Sequence, residues 1–227
     1  MMTLSDITVH AMSLGVMHLR AFYTQRMSRW QPNTAERLMN AAIELFADRG
    51  YDNVTVAEIT ERAGVTKRTF FRHFADKREI LFGGQGEQRR LLVDAIVHAP
   101  ASATPLDAVS AGVLAFADEF RQDQRDTVAR RQSIIARHSD LQERELSKQA
   151  ALTTAMTDAL HQRGVNEPTA TLAARIGALA FELAFQRWHA PTNRQTLTRL
   201  VSKTLRDCKT AAAVLLTEAC SNCEAIT

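Results

Sequence analysis

From Pro32 onward the apolar residues recur three and four positions apart, and no convincing run alternates apolar with polar. A stripe of that period sits on one face of a helix and has no place in a half-buried strand, so the chain is predicted to be all-α. Nine glycines and five prolines among 227 residues leave few turns, which also favours long helices over many-turned β architecture. A chain of this length can bury a core without disulfides or metals.

The first predicted helix covers 33–49, with Leu38, Ala41, Ala42, Leu45 and Phe46 on one face and Gly50 as its stop. Thr55 caps a short second helix, and Glu58 three residues later completes a capping-box pattern. That helix ends near Ala63-Gly64, and Thr66 caps a third short helix over 67–73. A fourth is predicted to run from Lys77 towards His98; Gly83, Gly84 and Gly86 interrupt it and are expected to soften the connection between two units. Thr104 and Pro105 open a fifth helix. Others are expected over about 125–138, 140–163 and 168–189, and from beyond Pro191 to about Glu218. The division expected is an N-terminal extension over 1–31, a helical head over 32–82 and a larger helical body over 83–227.

No stretch approaches 18 uninterrupted apolar residues, so no transmembrane helix is expected. The N-terminal stretch has no basic n-region, and His10, His18 and Arg20 break its apolar positions, so it does not read as a signal peptide. Two readings of it stay open: translation starting at Met27, or a loose, partly helical arm. The cysteines are Cys208, Cys220 and Cys223. Cys220 and Cys223 have CxxC spacing without a second ligand pair or a βαβ context, and read as incidental thiols of a cytoplasmic protein.

The informative stretch is 55–77, TVAEITERAGVTKRTFFRHFADK. Two short helices joined by a glycine-containing turn form a helix-turn-helix layout, whose second helix can enter the DNA major groove. Thr66, Lys67, Arg68 and Thr69 occupy the turn of that helix which reaches base edges. Arg or Lys can pair with guanine O6/N7, and Thr with a thymine methyl or a base edge. The net charge of +3 looks too small for a nucleic-acid binder until the charges are placed. Between Thr66 and Arg78 stand five basic residues and one acidic, a local +4, while 32–82 as a whole holds eight of each sign. The head is polarised rather than basic, which suffices for an electrostatic footprint.

Residues 33–82 resemble the DNA-binding domain of the TetR (tetracycline repressor) family of bacterial regulators. The resemblance rests on AAIELFADRGY at 41–51, VTVAEI at 54–59, AGV at 63–65 and TFFRHFADK at 69–77. It implies that Thr66, Lys67, Arg68 and Thr69 read bases or grip nearby phosphates, and that His73, Lys77 and Thr55 bind phosphate. Phe71 departs from the family pattern, where a phosphate-binding Tyr is common, and its ring cannot donate a hydrogen bond. The resemblance further implies a homodimer on a palindromic double-stranded DNA operator, released or engaged through a small-molecule effector in the body. The expected activity is that of a ligand-responsive repressor.

Phe116, Phe120, Ile134, Ile135, Met156, Phe181 and Phe185 are candidates for lining the effector cavity, although residues at such spacing also serve as plain core. Ala173, Ile176, Gly177, Ala180 and Ala184, with Leu197, Leu200, Val201, Leu205 and the 211–216 run, give two small-residue or apolar faces. The resemblance implies that these form an isologous four-helix dimer interface; a monomer would bury them internally. Asp48, Asp52, Glu58 and Glu61 accompany no nucleophile, and His138, His161 and His189 form no HxxxH pair. No catalytic residue, metal or cofactor is therefore expected. The alternatives are a helical-bundle carrier or enzyme without DNA binding, or a helical adaptor that binds protein through the basic segment.

Overall fold

The helical periodicity becomes nine α-helices and two single 3₁₀ turns among the described residues, with no strand there. The computed structural model describes residues 34–83 and 85–224, of which 85 and 215–224 by backbone alone. Expectations placed on the arm over 1–31, on Met27, on Gly84 and on the side chains of Cys220 and Cys223 fall outside the described residues.

The head comprises α1 (Thr34–Arg49), α2 (Val56–Arg62) and α3 (Lys67–His73). Both short helices start where their capping residues predict. The Thr55 hydroxyl accepts from the Glu58 N–H at 3.3 Å while the Thr55 N–H donates to the Glu58 carboxylate at 2.8 Å. The Thr66 hydroxyl accepts from the Thr69 N–H at 3.2 Å. Gly64, at φ +64°, makes the sharp turn between α2 and α3 in a conformation that other side chains resist. Leu38, Ala42, Phe46, Ile59 and Phe70 are buried to within 2% of complete and lock the three helices together.

The fourth helix does not begin at Lys77. Asp76 accepts from the Glu79 N–H at 2.9 Å, a single 3₁₀ turn (Glu79–Leu81) follows, and α4 runs over Gln85–Val97. Gly83 has a packing reason: a Cβ there would lie 2.6 Å from the Phe74 ring, whereas one on Gly86 would meet open space. The body adds α5 (Pro105–Asp118), a turn at Gln122–Gln124, α6 (Arg125–Ile135), α7 (Ser139–Gln162), α8 (Glu167–Trp188) and α9 (Leu197–Glu224). The last helix extends past the predicted Glu218.

In the body α5 packs on α4, α8 and α9, and α8 packs also on α7 and α9. Two glycines permit this. A Cβ on Gly112 would sit 2.5 Å from Ile96, and one on Gly177 2.2 Å from Val109. Ala173, Gly177, Ala180 and Ala184 are therefore buried inside this chain, as are Leu197, Leu200, Val201 and Leu205. This corrects the expectation for these residues, which are core; Ile176 is half-buried, and Ala211, Ala213 and Val214 of the 211–216 run are exposed. Arg163 closes α4 by donating to the carbonyls of Ile96, Val97, Ala99 and Pro100 at 2.6–3.2 Å.

Two hydrophobic cores result, one in the body and one in the head. The head core does not stop at residue 82, because Ile134 and Ile135 from the end of α6 and Leu141 of α7 belong to it. No helix among the described residues is long and apolar enough to cross a membrane.

The Gly83–Phe74 contact gives a first prediction. Gly83→Ala should lower unfolding stability by about 1–3 kcal/mol, since the buried ring must shift, and Gly86→Ala should not. Urea titrations of the two variants compare them directly.

Candidate functional site

The first turn of α3 carries its charge outward. Thr66, Lys67 and Arg68 are exposed, Thr69 is half-buried, and the buried Phe70 behind them anchors the helix. Neither Lys67 nor Arg68 makes an ion pair or hydrogen bond among the described residues, so both cations are available to an outside anion. Phe71 lies on the same short helix with 57% of its surface in water and its ring edge-on to Phe70 at 5.3 Å. Arg72 and His73 are exposed too, and the His73 ring is tilted against Phe74 at 6.2 Å.

Two other residues of the predicted set have internal work. The Thr55 hydroxyl is engaged in the cap, donating to Glu58 at 2.8 Å as well as accepting from its N–H. Hydrogen bonds from the Thr55 backbone and hydroxyl hold the Glu58 carboxyl below its usual range, and Arg49 at 2.8 Å adds to this. The start of α2 is thus already answered by a carboxylate. Lys77 donates to the carbonyls of Tyr51 at 2.8 Å and Val54 at 3.1 Å, and its ammonium lies 4.2 Å from the centre of the Tyr51 ring. Two of its three N–H groups therefore tie down the α1–α2 connection. Burial, and then the Asp140 carboxylate, push the Tyr51 phenol up to about 12.

Sequence reasoning missed Arg37. Its guanidinium donates to the carbonyl of Ala63 and, at 3.5 Å, to that of Gly64, fastening the turn before α3 to α1. Nothing in the spacing of Arg37 marks it, because the partner carbonyls lie 26 and 27 residues away.

Behind the head lies a cavity of about 1090 Å³, slightly above the usual range for small-molecule sites. Phe116, Phe120, Met156, Phe181 and Phe185 line it. Ile134 and Ile135 do not. They point into the head core, because the end of α6 lies against α1 rather than over the body. The head supplies part of the wall through Met39, Asn40 and Ile43 of α1 and through Leu81.

The wall also carries charged residues outside the predicted set, of which Arg131, Glu145 and Lys148 are half-buried. Arg131 donates to Glu145 at 2.9 Å and to the Leu81 carbonyl. Burial works to raise the Glu145 carboxyl, but Arg131 and Lys148 outweigh it and hold it low. Burial, reinforced by the Arg131 charge, brings the Lys148 ammonium down to about 8, against a weaker opposing pull from Glu145. A signal existed. Leu141, Glu145, Lys148, Leu152 and Met156 share one α7 face, so two charges stand at core spacing.

Residues 38–82 match the family model of "Bacterial regulatory proteins, tetR family", a family of regulators rather than enzymes. The chain is similar to the HTH-type transcriptional regulator TcmR of Streptomyces glaucescens, 35% identical over 95 residues, 42% of each chain. It is also similar to the HTH-type transcriptional activator FasR of Mycolicibacterium smegmatis, 46% identical over 44 residues, covering 19% of this chain and 20% of that one. The chain thus spans less than half the length of these relatives. Among solved structures, the SmeT–triclosan complex superposes with a TM-score of 0.56 at 19% identity, over 78% of this chain and 90% of that one, which shows a shared fold.

The low Lys148 pKa yields a stability prediction. The folded chain binds this proton less tightly than the unfolded chain, so the charged side chain costs stability in full below about pH 8. That cost fades as pH rises towards about 10.5, the ordinary lysine value. Lys148→Met should therefore melt above the wild type at pH 7, with the gap closing as pH rises through that window. Melting curves at both ends of it check the sign.

Proposed function

We propose that this chain, whose N-terminal head is a tetR-family helix-turn-helix domain, is a transcriptional repressor that binds operator DNA as a homodimer and yields it when a small molecule fills the cavity. The observation that carries the reading is the pair of unpaired, exposed cations, Lys67 and Arg68, on the first turn of α3. Arg68 has the planar fork that pairs with guanine O6 and N7, and Lys67 can answer the same edge or a phosphate. Thr66 and Thr69 add hydroxyl and methyl contacts to base edges. Phe71 offers an exposed apolar ring where it cannot donate. His73 grips phosphate from the end of α3, and the one N–H of Lys77 not spent on carbonyls is left for the same use. Thr55 acts chiefly by holding the start of α2.

The dimer face we favour is not the small-residue stripe but the neighbouring flank of α8, about 100° around the helix. Leu172, Ile176, Leu179 and Leu183 recur at 4-3-4 spacing, and Leu172 and Leu179 stand 62% and 48% exposed. Such a seam is self-complementary in an isologous pair. Two heads held by one dimer suit a palindromic operator with half-sites near one helical turn apart. The cavity shares walls with the head, so a bound molecule has a physical route to bias head position through differential affinity for two states. The triclosan held by SmeT is a precedent for a small molecule in this fold.

Two outcomes test this. Fluorescence anisotropy on the DNA upstream of the chain's own gene should show salt-dependent binding by the wild type. Arg68→Ala should weaken specific binding by about 1–3 kcal/mol and relax preference at one base pair; unchanged affinity and preference would remove Arg68 from the reading helix. Leu172→Glu places like charges face to face across the proposed seam and should sediment as a monomer. A dimer that persists would move the interface elsewhere.

A further inference from the structure

The cavity wall is aromatic at one end and charged at another. Phe116 meets Phe181 at 5.0 Å, Phe120 meets Phe185 at 5.4 Å, and Phe181 stacks on Phe185 at 5.6 Å. All four line the cavity, as do Arg131, Glu145 and Lys148. The ion pair between Arg131 and Glu145 is well removed from water, with 14% and 15% of the two side chains exposed. Glu145 is further engaged by Gln132, and Arg131 by the Leu81 carbonyl. Two cations thus share one carboxylate. The ammonium left over is that of Lys148, which has no acceptor at hydrogen-bond or ion-pair distance among the described residues.

We propose that the molecule taken up by this cavity is an amphipathic organic anion, its acidic group between Lys148 and Arg131 and its apolar body against Phe116, Phe120, Phe181 and Phe185. The proposal rests on the effector reading above only for the consequence of binding, not for the binding itself. A half-buried cation that shares its one nearby carboxylate with a second cation is costly, and an anionic group that pairs with it lowers the cost. A neutral ligand would leave Lys148 unanswered, and a cation would meet two like charges. Four acidic residues, Glu36, Glu119, Asp123 and Glu182, and one more cation, Arg175, also border the cavity, but all are exposed, and Asp123 is already paired with Arg121. Charges in water act weakly at a distance, so the interior sign is set mainly by the three half-buried residues.

The anion would also reach the head. Arg131 is one hydrogen bond from the Leu81 carbonyl, so an acidic group competes with that carbonyl and with Glu145 for the same guanidinium. Binding then favours whichever head position needs that tie least, the differential affinity that a switch requires.

The test is a matched pair of dyes on the full chain: 8-anilinonaphthalene-1-sulfonate, and N-phenyl-1-naphthylamine, the same aromatic body without the sulfonate. Fluorescence titrations should show that Lys148→Met weakens the sulfonate at least tenfold and leaves the neutral dye within twofold. Lys148→Arg, which keeps the charge, should stay within about threefold for both. Lys148→Gln serves as a second neutral variant should the Met variant melt below the wild type. Unchanged sulfonate binding, an equal loss for both dyes, or a wild type that binds neither overturns the proposal. DNA binding by the wild type is scored separately: its absence sinks the regulator reading and leaves the dye result standing.

Discussion

The Arg131 guanidinium sits where the two hydrophobic cores meet, and it must be answered on every side because little water reaches it. One nitrogen donates to the Leu81 carbonyl at the end of the head and another to Glu145 on α7. Its flat face lies 5.2 Å from the centre of the Phe82 ring, with Arg144 at 5.6 Å from the same ring and paired to Glu79. The head is thereby tied to α6 and α7 by directional bonds as well as by the apolar contacts of Ile134, Ile135 and Leu141. Moving the head without breaking these bonds means moving α6 or α7 as well. The same side chain forms part of the cavity wall, so head position and cavity content act on one group.

The body owes its cavity to two close approaches. Gly112 lets α5 reach α4, and Gly177 lets α8 reach α5. One helical turn beyond each glycine stands a phenylalanine, Phe116 and Phe181, and these rings meet edge to face at 5.0 Å. Small residues at the crossings and large ones a turn away create an aromatic wall rather than a uniformly filled core.

Much of this was legible from local signals. Capping at Thr55, Thr66 and Thr104 marks helix starts because the side chain answers an amide three residues away, a distance the sequence specifies. The periodicity of the cavity aromatics marks them as inward-facing but does not separate cavity wall from plain core. The beginning of α4 was not legible: the charged run after Asp76 favours helix, but Phe74 packs against Gly83, and the chain turns to make that contact. The small-residue stripe of α8 cannot be assigned to core or partner surface from sequence, because periodicity marks a face that wants burial without naming what buries it. Lys77 looks from sequence like one more cation of a DNA-facing cluster, and only the nearby Tyr51 and Val54 carbonyls give it an internal role.

By itself the sequence determined the helical class, the caps, the helix-turn-helix and the polarised charge of α3, since each depends on residues within a turn or two of one another. Tertiary structure decided that Ile134 and Ile135 belong to the head, that α8 buries Ala173, Ala180 and Ala184 while exposing Leu172 and Leu179, and that Arg131, Glu145 and Lys148 line one cavity. Those outcomes depend on which helices cross and how closely they approach. That is settled by side-chain volume and by the need to answer buried charge, across separations in sequence that no local pattern encodes.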